Sequence, residues 1–143
     1  MNRIINPWTN DRVKDFLLLF LRLAIGALLI SQHGYPKLLK LMSGEPIQFA
    51  AVMGMSEKSS LILAMFAEYI CAIMVMLGMF TRLAAIPVII TFLVIVFHVK
   101  GGNPVSDREL PLLYLIFYTY IFFSGAGKHS FDNIFTKLLK RRE

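Results

Sequence analysis

The chain offers little sulfur chemistry: among 143 residues there is one cysteine, Cys71, set in an apolar stretch. A lone cysteine forms no internal disulfide, which excludes a dithiol redox mechanism confined to this chain. No Cys/His cluster has the spacing of a structural zinc site, and there is neither an internal repeat nor a low-complexity stretch. A secretory signal is not expected either. The first apolar run contains Arg22, lacks a clear small-residue cleavage site and is followed by more apolar segments. The net charge is +6, but its distribution along the chain says more than its sum, and no nucleic-acid partner is expected.

What is present is apolar surface. Hydrophobic residues make up 57% of the chain and the mean hydropathy is +0.64, too apolar for an ordinary soluble domain and suited to a small polytopic membrane protein. The pattern predicts an all-α integral membrane four-helix bundle, up-down-up-down, with spans near 14–34, 59–80, 83–99 and 107–124. Gly34-Tyr35-Pro36 is expected to end or kink the first span, and Pro87 to kink the third. Gly101-Gly102-Asn103-Pro104 reads as a loop, and Gly125-Ala126-Gly127 as a stop. The long connection 38–58 is expected to hold a short surface helix started by Pro46, with Phe49, Val52 and Met53 on one side, lying over the bundle mouth.

Three regions follow: a cytoplasmic segment 1–15, a four-span domain 16–128, and a cytoplasmic basic tail 129–143. Trp8 suits a membrane interface. In the tail, Phe131, Ile134, Phe135, Leu138 and Leu139 follow helical spacing while Lys137, Lys140, Arg141 and Arg142 occupy the remainder, as in a helix resting on an anionic leaflet. Nine Lys/Arg fall on the side of the termini and five on the other, which predicts a multi-pass protein with both termini in the cytoplasm.

The polar residues inside these spans need partners. Arg22, Gly26 and His33 share one helix face. Arg22 lies roughly 16 Å, and Glu68 roughly 13 Å, below the outer ends of their spans at 1.5 Å per residue. Matched depth predicts an Arg22–Glu68 ion pair, whether as a register lock or as a proton-exchanging site. A second group, His33, Lys37, His98 and Glu109, gathers at the outer helix ends. Each has a plainer reading: Ser106-x-x-Glu109 can be a capping box, the histidines can bond loop carbonyls, and Lys37 can snorkel. Together they predict a polar mouth in which at least three of His33, Glu68, His98 and Glu109 share a cavity. His33, His98 and Glu109 also match a two-histidine, one-carboxylate metal set, and the two histidines a haem clamp. The methionines read as packing, because Met74 and Met76 point to different faces.

Arg22 with Gly26, His33-Gly34-x-x-Lys37, Glu68, Leu77-Gly78-x-x-Thr81-Arg82, His98, Glu109 and Gly125-x-Gly127-x-x-Ser130-x-Asp132 together resemble the DoxX family of small bacterial four-helix membrane proteins. The resemblance spans about residues 16–132 and lies in the order and spacing of these elements. It implies a four-span bundle and a link to membrane oxidoreduction, with family members described as quinone-reducing subunits or as oxidoreductases in oxidative stress. On that footing Glu68 and Glu109 are the expected proton-carrying catalytic residues. Arg22, His33, Lys37 and His98 are the expected ligand-binding residues, and Phe92, Tyr114 and Phe117 the walls. The expected ligand is a quinone, and the expected partners are the bilayer, a separate redox protein and a second copy of the chain. Two rival functions remain at this level: a small-solute transporter component, and a non-catalytic assembly subunit similar to eukaryotic surfeit-locus cargo receptors.

Overall fold

Apolar runs punctuated by glycine and proline fold into four helical rods in the computed structural model, which describes residues 11–140. Trp8, Arg141 and Arg142, with the interfacial and basic roles expected of them, lie outside the described residues. The first rod joins α1 (Asp11–Leu29), a π-helical turn (Ile30–Gly34) and α2 (Tyr35–Met42). It is about 48 Å long at 1.5 Å per residue, longer than a hydrocarbon core of about 30 Å. The helix does not end at Gly34-Tyr35-Pro36 but runs on through a π turn. The Tyr35 N–H reaches five residues back to the Ile30 carbonyl. Pro36 then enters α2 in its first turn, where no N–H is required of it.

The second rod is α3 (Glu57–Met65), a π turn (Phe66–Cys71) and α4 (Ala72–Leu77). Ser56 caps its start, the hydroxyl accepting from the Ser59 N–H at 3.2 Å. Gly78 ends it in the left-handed conformation, φ 72°, and Met79 N–H then reaches the Met74 carbonyl at 2.9 Å. The third rod is α5 (Thr81–Val94), with Pro87 inside it, continued by a π turn (Ile95–Val99). The fourth is a 3-10 turn (Val105–Arg108) leading into α6 (Glu109–Ser124), followed by α7 (Phe131–Lys140). Among the described residues there is no strand. Two helical stretches, Glu57–Leu77 and Thr81–Val99, are long and apolar enough to cross a membrane.

The bundle interior holds Leu29, Val75, Ala85, Val88, Phe92, Tyr118 and Ile121. The outer faces carry Phe16, Phe20, Leu83, Ile116 and Phe123, all exposed. Large apolar side chains turned outward around a packed interior are what a lipid solvent selects. The fold is an all-α helical membrane bundle.

Close approach fixes how the first two rods slide against each other. Gly26 faces the Met76 side chain, and Gly34 faces the backbone of Glu68 and Tyr69. A Cβ at Gly34 would lie 2.5 Å from the Glu68 carbonyl oxygen. Gly34→Ala is therefore expected to cost about 1–3 kcal/mol, read as a lower thermal midpoint in detergent. Gly102→Ala, with open space around it, is the control and should change little.

Two local expectations are corrected. Pro46 starts no helix, because the backbone of the 43–56 strap is bonded elsewhere. Lys40 Nζ donates to the Gln48 carbonyl, Phe49 N–H to Glu57 Oε2 at 3.3 Å, and Val52 N–H to Ser60 Oγ at 3.2 Å. Nor does Glu109 close a capping box: Arg108 stands at the N-cap of α6, with no side-chain cap. The amphipathic tail does form as α7, its five apolar residues exposed on one side.

Candidate functional site: an ion-paired cavity at one end of the bundle

The polar residues fall into two clusters at opposite ends of the bundle. In the first, Arg22 is fully buried. Its Nη1 donates to the Ala126 carbonyl, and its Nη2 to the His129 carbonyl at 2.9 Å. The segment it grips is folded on itself. Ser130 Oγ donates to the Gly127 carbonyl at 2.8 Å, and Asn133 Nδ2 to the Lys128 carbonyl at 2.7 Å. Two residues past Ser130, Asp132 accepts from the Phe80 N–H at 2.7 Å and the Thr81 N–H at 3.0 Å. It thereby caps α5 from the far end of the chain. Arg22 thus serves the architecture, and the expected Arg22–Glu68 pair does not form. With Gly34 set against Glu68 and Gly26 against Met76, the same antiparallel slide puts Arg22 level with Phe80. That is about 18 Å along the axis from Glu68.

Glu68 meets Lys37 instead. The Lys37 ammonium pairs with Glu68 Oε2, and Nζ also lies 3.4 Å from the His33 carbonyl, one turn back. Glu68 is 1% exposed and Lys37 17%, so the pair is largely desolvated and each charge depends on the other. Glu68 Oε1 and His33 Nε2 are buried without hydrogen-bond partners. The His33 ring meets the edge of Tyr114 at 5.8 Å, and Tyr114 stacks on Phe92 at 5.1 Å.

His33, Lys37 and Glu68 border a cavity of about 380 Å³, lined also by Phe49, Val52, Met53, Leu63, Ile90, Phe92 and Ile95, with Ser60, Thr91 and Lys100. All three π turns contribute to it: His33 from the first, Glu68 from the second and Ile95 from the third. A π turn inserts one residue into the helical ladder and re-aims the side chains around it, which is why such turns recur at functional sites.

The sequence-predicted site is therefore assembled in part. His33, Lys37 and Glu68 converge. His98 and Glu109 are exposed and border no part of the cavity, so two of the four expected residues share it instead of three. The inward positions of the third rod are Val88, Phe92 and Val96, and those of α6 are Pro111, Tyr114 and Tyr118. His98 lies two residues past one series, and Glu109 two residues before the other, which turns each outward. The His33–His98–Glu109 metal set and the His33–His98 haem clamp are thus not brought together. Among the described residues no group of three or more His, Cys, Asp or Glu side chains converges. Of the expected walls Phe92 lines the cavity, while Tyr114 and Phe117 are buried behind it. Sequence reasoning missed Lys100, Ser60 and Met55. Ser60, buried at the head of an apolar run, carried the only readable signal.

The family model DoxX matches residues 17–101. The chain belongs to the DoxX family. A relative from Haemophilus influenzae, described as "Uncharacterized protein", is 34% identical over 134 residues, covering 89% of this chain and 96% of its own length. No solved structure matches. The DoxX match takes in the first three rods with Arg22, His33, Lys37 and Glu68. The Arg22-binding segment, 125–132, lies beyond it.

Proposed function

We propose that this DoxX protein is a multi-pass protein of the bacterial inner membrane, with both termini cytoplasmic. In this reading it binds a quinone-like molecule in the Lys37–Glu68 cavity and serves a separate redox protein. The observation that carries it is a largely desolvated ion pair opening onto a mostly apolar cavity at the end of a membrane bundle. The volume of about 380 Å³ falls in the range of small-molecule sites, about 300–1,000 Å³. Leu63, Ile90 and Phe92 offer faces for a ring and the start of a tail, and Lys37 and His33 offer polar contacts for ring oxygens. A bound quinone supplies two-electron, two-proton redox capacity. Lys37, held by Glu68, orients a ring oxygen, and the strap carrying Phe49 and Met53 excludes water from the mouth. Beneath the cavity, Leu29, Val75, Val88 and Ile121 fill the interior, which favours a binding site over a transport path.

Mass spectrometry of lipid-soluble molecules copurified with the protein, followed by titration with decylubiquinone, tests this reading. His33→Ala is expected to weaken binding about tenfold, one hydrogen bond's worth, with little change in thermal midpoint because His33 is only half-buried. Unchanged affinity overturns the reading. Orientation has its own test: with Cys71→Ala as background, Ser56→Cys and Ser106→Cys should label from outside the cell, while a C-terminal tag stays protected. The reverse pattern would invert the topology.

A further inference from the structure

The cavity presents a bare acceptor. One oxygen of the Glu68 carboxylate is held by Lys37, while the other, Oε1, is buried with no donor from the protein. His33 Nε2, on the same cavity, is also without a partner. A carboxylate oxygen is an acceptor only. A molecule that comes to lie beside it must therefore bring a donor or leave it unsatisfied, which is penalised at least as heavily as a bond to a charged group is rewarded. The terminal torsion of a glutamate is soft, so a small rotation turns Oε1 toward the open volume.

We infer that the cavity selects the hydroxylated form of its ligand: a phenolic O–H donates to Glu68 Oε1, and the reduced quinol is bound in preference to the oxidised quinone. This deepens the quinone reading and rests on it. A quinone carbonyl can accept from Lys37 but has nothing to give Oε1. A quinol hydroxyl does both, donating to Glu68 and accepting from Lys37 or His33. Glu68 is then the group that distinguishes the two redox states by hydrogen-bond polarity, while Leu63, Ile90 and Phe92 are indifferent to them.

Three probes with the same decyl tail test this on the full chain in nanodiscs: decylubiquinol kept reduced under anaerobic conditions, decylubiquinone, and the dimethyl ether of decylubiquinol. The ether keeps the reduced ring and removes its donors. The expected result is quinol binding at least about tenfold tighter than either of the others, the worth of one hydrogen bond to a charged acceptor. Glu68→Gln should narrow that gap to within about threefold, because the amide can turn its own N–H to whatever the ligand offers. Equal affinity for all three probes overturns the inference and leaves the quinone reading standing. Binding of none overturns both. Should Glu68→Gln not fold, the comparison of quinol with ether on the unaltered protein decides alone.

Discussion

Arg22→Ala is expected to lower the stability of the detergent-solubilised protein by about 3–5 kcal/mol, the loss of two hydrogen bonds from a buried charged donor. The carbonyls of Ala126 and His129 lose those donors, and the segment leading into α7 loses its anchor. Arg22→Lys should restore less than half of the loss. An ammonium is a single point, whereas the guanidinium fork reaches both carbonyls. Equilibrium unfolding gives the magnitude. Limited proteolysis gives the location, because the 125–140 segment should become cleavable while the rods remain protected. An Arg22→Ala protein as stable as the parent would mean that these two contacts are incidental.

The second large effect concerns Lys37 and Glu68. Lys37→Met alone leaves Glu68 without its counter-charge in a nearly dry position and should cost about 3–5 kcal/mol. The double change Lys37→Met with Glu68→Met should recover most of that, since a buried ion pair replaced by apolar groups of similar volume is often neutral. Arg22→Ala combined with Glu68→Gln should instead be additive within about 0.5 kcal/mol, as distant sites are. A strong coupling between Arg22 and Glu68, with none between Lys37 and Glu68, would contradict the pairing seen in the bundle.

The identities of the important polar residues were legible in the sequence, because a charge in an apolar run must be explained by something. Their partners were not. Depth measured from assumed helix ends depends on where those ends fall, and the first rod does not end at His33 but continues to Met42. That extension slides the first rod against the second and gives Glu68 to Lys37 rather than to Arg22. The π turn that lets the helix pass Gly34 and Pro36 leaves no mark in a hydrophobic period. The outward turn of His98 and Glu109 has a similar origin: placing them at the mouth by height was sound, but which side they face depends on the buried series Phe92–Val96 and Pro111–Tyr114. The amphipathic tail could be read directly, since α7 owes its form to its own spacing and not to a distant partner.

The cap that Asp132 places on α5 joins residues 52 and 51 positions apart in the chain, and Arg22 is joined to His129 across 107. The chain emerges from the ribosome in order, so α5 is made before the carboxylate that caps it. The opening helix likewise arrives with an unmatched cation. Both defects are repaired only when residues 126–132 have been made. A nascent chain halted before Ala126 has all four rods and neither closure. Segment 126–132 thus acts as a latch that can close only after all four rods have been made.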